Sequence, residues 1–315
     1  MRVDPQGLWE VAGERVARRM ARVEERLAEI AVAAAAPLDS LAGGTIAAGG
    51  KRLRPLLVFL AAGGGCEGDD DGLVRAAVAV ELVHSATLVH DDVLDAADLR
   101  RGRPTVVALA GRSGATATGD MLFARAFSEL VRNGNAEEVR VLSDASSALA
   151  EGELLQREDT YSPSVTVERY LHRCDHKTAR LFQAAAQLGA LEAAGPVEAL
   201  GEFGRRIGLA FQLLDDVLDV SGPAERTGKH RGTDLLDGTV TLPLILARER
   251  DPALGDARAT TPAEAEAMCD RIEATGALAE ARSRALAIVA EAKAGLPRPD
   301  RALELVADGV VDRFS

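Results

Sequence analysis

Six aspartates carry the plainest chemical signal in this chain. Asp91, Asp92 and Asp95 fall in the run Leu88-Val-His-Asp-Asp-Val-Leu-Asp95, and Asp215, Asp216 and Asp219 repeat that spacing in Phe211-Gln-Leu-Leu-Asp-Asp-Val-Leu-Asp219. On a helix, the first and last members of each set sit one turn apart on the same face. Like charges so placed repel, and a divalent cation offsets the repulsion. Hard carboxylate oxygens suit Mg²⁺, which keeps water and phosphate oxygens in its remaining positions. His84 lies two turns before Asp91 on nearly the same face. One such set alone is more often a solvated acidic face. Two sets embedded in apolar helices fit mere solubility poorly.

An anionic ligand needs cations as well as metals. The segment Gly49-Gly-Lys-Arg-Leu-Arg-Pro55 sets Lys51, Arg52 and Arg54 where a glycine turn meets a helix start, a geometry that exposes backbone N–H groups to an anion. The same residues read equally well as solvated cations at a helix N-terminus. Arg100 and Arg101 follow the first aspartate set by just over a turn, Lys177-Thr178 lies mid-chain, and Lys229 lies in a late glycine-rich stretch. Taken singly, each is an ordinary surface residue. If the two acidic helices face each other in a bundle, their carboxylates can gather magnesium ions around one diphosphate.

The elements that must position these residues are helices. Ala, Leu, Glu and Arg dominate, β-branched alternation is scarce, and apolar residues return at spacings of three and four. The pattern predicts helices over 16–35, 55–62, 73–97, 119–132, 136–156, 165–191 and 197–220. Residues 63–72 read as a loop and 221–241 as a glycine-rich polar cover, with helices resuming from Leu242 to the end. No repeat and no domain boundary is visible, so one domain over 1–315 is expected.

The chain of 315 residues is 47% hydrophobic, enough for a large core without disulfides. With 37 Lys and Arg against 49 Asp and Glu, the formal charge is -12, which excludes a nucleic-acid partner held by general basicity. Cys66, Cys174 and Cys269 are odd in number and widely spaced, which points to neither a disulfide framework nor a zinc site but to a reducing cytoplasm. The opening residues 1–11 include Asp4, Pro5 and Glu10 and do not read as a signal peptide; the Ala-rich run near residues 30–36 is broken too soon to span a membrane.

The ordered motifs resemble the trans-isoprenyl diphosphate synthases, of the medium- to long-chain polyprenyl type. The likeness runs through Gly-Gly-Lys-Arg-Leu-Arg-Pro55, His90-Asp-Asp-Val-Leu-Asp95 with Arg100-Arg-Gly-Arg-Pro-Thr105, Gly119-Asp120, Glu151-Gly-Glu153, Lys177-Thr-Ala179, Phe211-Gln to Asp219, and Gly228-Lys229. It implies an all-α fold, a single-domain antiparallel helical bundle around a central hydrophobic cavity. It also implies a homodimer and three Mg²⁺ ions per site. The implied activity condenses isopentenyl diphosphate with an allylic diphosphate (geranyl, farnesyl or geranylgeranyl) by ionisation, condensation and proton loss.

The resemblance also implies roles. Lys51, Arg54, His84 and Arg101 hold isopentenyl diphosphate, while Asp91, Asp95 and Asp215 bind the magnesium ions on the allylic diphosphate. Arg100, Lys177, Thr178, Gln212 and Lys229 touch that second diphosphate. Asp92 and Asp219 also belong to the implied metal set, and with Asp216 they act through water or neighbouring residues. One departure stands out: Gly238-Thr-Val-Thr-Leu-Pro243 puts Thr239 where the family commonly has a lysine, which removes a positive charge near the leaving group. Ala86 and Thr87 are small where short-chain relatives often carry an aromatic, so an apolar tunnel is expected to stay open for products beyond geranylgeranyl.

Two rivals have their own signatures. A terpene cyclase usually keeps one aspartate motif, and an aromatic content of 3% argues weakly against a cyclase pocket. The other rival is a catalytic or regulatory subunit of a heteromeric synthase; non-catalytic partner subunits tend to lose their aspartates, and here both sets persist. Three further features read as structural. Asp69-Asp-Asp71 is expected to be a solvated turn, His172 and His176 an exposed helix face, and Trp9 a packing anchor.

Overall fold

A computed structural model describes residues 5–47, 50, 52–63, 70–100, 102–222 and 231–312, with the side chains of residues 5–10 and 312 excepted. Lys51, Arg101, Lys229, Cys66, Asp69 and the Trp9 side chain therefore lie outside the described residues. The chain begins with α1 (Pro5–Val32, broken at Gly13), α2 (Leu38–Ala47) and α3 (Leu53–Ala62). Then come α4 (Asp71–Leu94), the hairpin strands β1 (Leu99–Arg100) and β2 (Arg103–Pro104), α5 (Val106–Val131, broken at Gly111) and α6 (Ala136–Glu158). Next, α7 (Val167–Cys174) runs through a π turn (Asp175–Ala179) into α8 (Arg180–Glu192), and α9 (Val197–Ser221) follows. The C-terminal part holds α10 (Thr233–Leu236), α11 (Leu242–Arg250), α12 (Pro262–Ala274), α13 (Ala277–Ala294) and α14 (Arg301–Asp312). The protein is all-α, and its short hairpin pairs Leu99 with Pro104 and Arg100 with Arg103.

At the centre stands α4. From Leu73 to Val83 it is buried on every side except at Arg75, because it is apolar all round and packs on α1, α3, α5, α6 and α8. Length and apolarity alone would let it cross a membrane, but 72% of its apolar window is buried inside the protein, as in a core helix. Its C-terminal end decides the site. Ala96 turns left-handed at φ 49°, and Ala97 N–H bonds back to Asp92 O at 3.0 Å, a Schellman-type stop. The predicted helix over 73–97 therefore ends earlier, with Asp91 in its last turn and Asp95 as its cap.

Helices α8 and α9 approach closely enough that a Cβ at Gly204 would lie 2.5 Å from Phe182 O. Three other expectations need correction. The single helix over 165–191 is interrupted by the π turn, which joins two α-helical segments and is marked by no change in composition. Asp70 and Asp71 do not form a solvated turn: Asp70 accepts from Arg19 at 2.6 Å and Arg15 at 3.0 Å, and Asp71 opens α4 while pairing with Arg22. His172 is exposed as expected, but His176 is largely covered and stacks on it at 4.2 Å.

Candidate active site

The π turn organises the site. It packs against α6 and α9, and Asp175 ties it down by accepting from Arg180 and from Arg205 of α9, each at 2.8 Å. Close approach of α6 requires Gly152, since a Cβ there would lie 2.4 Å from Lys177 N. A single π turn of this kind recurs at functional positions because the extra residue re-aims the side chains beside it. Here consecutive residues turn toward different acidic helices. Lys177 Nζ donates to Glu153 of α6 and acts electrostatically on Asp91 of α4. Thr178 Oγ1 donates to Gln212 Oε1 of α9 at 2.7 Å.

Each aspartate set has its own surroundings. Burial is the largest influence on Asp91; Lys177 and Arg100 oppose it while Glu153 and Asp95 reinforce it, and the carboxyl is raised to about 6. Asp92 is buried and accepts from Arg100 Nε at 2.7 Å, because the hairpin folds Arg100 back over α4. Asp95 accepts from Arg157 Nη2 of α6. On α9, Asp215 is exposed, whereas buried Asp216 accepts from Tyr170 at 2.6 Å and from Gln212 Nε2 at 2.8 Å. Burial, with Asp234 nearby, raises the Asp216 carboxyl above the usual range. Asp219 Oδ2 accepts the Asp234 N–H at 3.2 Å, which joins α9 to α10.

The basic residues separate into two kinds. Arg52 is spent on structure: it caps α3, bonds Glu24 and Glu81 at 2.6 Å each, and donates to Ile46 O at 2.9 Å. Arg54 differs. Its guanidinium lies 4.5 Å from the Phe182 ring centroid and its Nε is buried without a hydrogen-bond partner. Burial lowers it to about 10, with Glu81 only partly compensating. Such a cation favours an incoming anion. His84 is half-buried on α4, Ala86 fully buried, and Thr87 donates to His84 O at 2.8 Å. Thr239 N–H donates to Asp234 O at 2.8 Å, beside the second aspartate set.

Sequence reasoning overlooked Glu153, Arg157, Tyr170 and His90. The run Glu151-Gly-Glu153 was visible, but not that its glycine admits the Lys177 backbone and its second glutamate holds the Lys177 ammonium. His90 lies 3.4 Å from Asp120 and against Gly119, whose Cβ would lie 2.2 Å from His90 Nε2. Among the described residues, no three His, Cys, Asp or Glu side chains already form a metal-holding group. The donors nonetheless fit divalent ions, because Asp91 is raised first by burial and then by the neighbouring Glu153 and Asp95 carboxylates, and a cation beside it would offset both.

Residues 36–274 match the polyprenyl synthetase family. The chain is 42% identical over 266 residues to heptaprenyl diphosphate synthase component 2 of Geobacillus stearothermophilus, covering 82% of this chain and 83% of that one. It is 40% identical over 283 residues to geranylgeranyl diphosphate synthase of Methanosarcina mazei, covering 84% and 86%. Among solved structures, a polyprenyl synthase from Caulobacter crescentus, complexed with calcium and isoprenyl diphosphate, superimposes with a TM-score of 0.88 at 37% identity, covering 97% of this chain and 98% of that one. The chain belongs to the polyprenyl synthetase family, with the all-helical isoprenoid synthase fold and the prenyltransferase class that membership carries.

Proposed function

We propose that the chain is a trans-polyprenyl diphosphate synthase, one domain over 1–315 that adds isopentenyl diphosphate to an allylic diphosphate and releases a longer linear product. The observation that carries this reading is the π turn, from which Lys177 faces the first aspartate helix and Thr178 the second. Asp91, Asp95 and Asp215 would hold Mg²⁺, three ions per site, with Asp92 and Asp219 completing the set and Asp216 supporting them through its neighbours. Bound Mg²⁺ supplies Lewis-acid and electrostatic stabilisation of the departing diphosphate. Lys177 and Arg100 add positive charge where negative charge develops, and Thr178 and Gln212 orient that group. Arg54, with Lys51, His84 and Arg101, holds the second diphosphate so that its alkene lies against the allylic carbon. The released diphosphate takes the proton.

Burial of the growing chain contributes about 0.8 kcal/mol per CH₂, which favours its retention between additions. Small Ala86 and Thr87 on α4 leave room for products beyond geranylgeranyl. Reduced, buried Cys174 and Cys269 fit a cytoplasmic enzyme. Leu109 of α5 is 66% exposed and Leu154 of α6 65%, apolar surface suited to a homodimer. The likeness to a synthase component favours a second reading, a subunit that works with a different partner chain. Incubation with farnesyl diphosphate, labelled isopentenyl diphosphate and Mg²⁺ separates the cases. A linear ladder of products is expected; a cyclic hydrocarbon, or turnover only after a partner is added, would overturn the homomeric synthase.

A further inference from the structure

Arg157 stands on the last turn of α6 and reaches across to the end of α4. Its Nη2 donates to Asp95 Oδ1 at 2.5 Å, while its Nε donates to Glu153 Oε1 at 2.9 Å. Glu153 accepts Lys177 Nζ on its other oxygen. Asp95, Arg157, Glu153 and Lys177 thus form a line of alternating charge between the first aspartate set and the π turn. Glu153 is nearly buried, with 11% of its side chain exposed, so the two cations that flank it are held in register. Arg157 is 40% exposed, so its long side chain can leave Asp95 for water without stranding a buried charge.

Asp95 has reason to need a cation. It caps the C-terminal end of α4, where unpaired carbonyls already concentrate negative potential, and Asp91 lies one turn away. The guanidinium of Arg157 meets that need from within the chain. A divalent ion drawn to Asp95 meets the positive charge of that guanidinium and finds Oδ1 already occupied by Nη2, so the two cations compete for one carboxylate.

We propose that Arg157 is a positioning residue, the resident counter-ion of Asp95, which holds that carboxylate toward α6 and competes with divalent ions for it. This rests on the reading of Asp95 as a metal ligand. The competition lowers the affinity of the free protein for divalent ions and leaves them to be taken up mainly with an anionic ligand, toward which the released guanidinium can turn.

The test is Mn²⁺ binding by calorimetry to the full chain without diphosphate, repeated with inorganic pyrophosphate. Arg157→Gln should bind Mn²⁺ about two- to fivefold more tightly than wild type without pyrophosphate, the factor carried by an exposed ion pair. Pyrophosphate should enhance Mn²⁺ affinity less in Arg157→Gln than in wild type. Arg157→Lys should restore wild-type behaviour. Arg140→Gln, which removes the same charge near the other end of α6, should leave Mn²⁺ affinity unchanged and so exclude an effect of net charge. Arg157→Met, uncharged and of similar reach, should repeat the result if Arg157→Gln folds poorly. Wild-type Mn²⁺ binding with equal or weaker binding in both uncharged variants would overturn the proposal. Absence of Mn²⁺ binding in the wild type, even with pyrophosphate, would instead remove the metal assignment itself and this inference with it.

Discussion

Lys177 ties the π turn to the first acidic helix, since its ammonium is held by Glu153 of α6 and its charge acts on Asp91 of α4. Lys177→Ala should lower kcat by about a hundredfold or more, the range for removing one preorganised stabiliser of developing charge. Steady-state kinetics beside a thermal melt would check it; an equal loss of folded protein would assign Lys177 to structure instead. Ala86 makes a second test at this scale. On the proposed reading the growing chain runs past fully buried Ala86 of α4, so Ala86→Phe should shorten the product, read by chromatography of dephosphorylated prenols. An unchanged product distribution would put the tunnel floor elsewhere. The aspartates were legible because their spacing alone puts them on one helix face. Glu153 and Arg157 were not, because a Glu and an Arg at i, i+4 also describe a solvated helix surface, and only contacts between helices tell the two apart.

Among elements, the helices were largely readable from apolar periodicity, as with 136–156 against the observed Ala136–Glu158. The π turn was hidden for a physical reason. One added residue in a turn rotates the facing of every later side chain without changing composition, so 165–191 looked like one helix although it is three segments. The end of α4 was misjudged because Ala96 carries a left-handed stop that usually falls to glycine. Since the close backbone approach of α6 to the π turn depends on Gly152, Gly152→Ala should destabilise the fold by about 1–3 kcal/mol. It should also reduce kcat at temperatures where the variant is fully folded. A denaturant melt and an assay on the same sample decide this, and native activity in a folded variant would show that the π turn tolerates displacement.

Across the whole molecule, the end of α4 away from the aspartates holds a buried carboxyl pair. Glu138 is fully buried, accepts from Asn133 Nδ2 at 2.8 Å, and faces Glu192; burial first, then Glu192, push its carboxyl well above the usual range. The folded chain therefore keeps a proton that the unfolded chain releases above about 4.5. The resulting stabilisation is fully present below that value and is lost as pH rises through the raised folded value, at up to about 1.4 kcal/mol per pH unit. Chemical denaturation from about pH 5.5 to about pH 8 should show falling stability, with a shallower slope in Glu138→Gln. An identical slope in that variant would mean the proton is held elsewhere.

The proposed catalysis turns on two acidic helices, far apart in sequence, sharing divalent ions around one diphosphate. Calorimetric titration of Mn²⁺ in the presence of inorganic pyrophosphate, on wild type, Asp91→Asn and Asp215→Asn, reads this directly. Each single substitution is expected to weaken the pyrophosphate-dependent Mn²⁺ binding by at least about tenfold while the melting temperature stays near that of the wild type. Undiminished binding in either folded variant would contradict it, because that helix would then hold none of the shared ions.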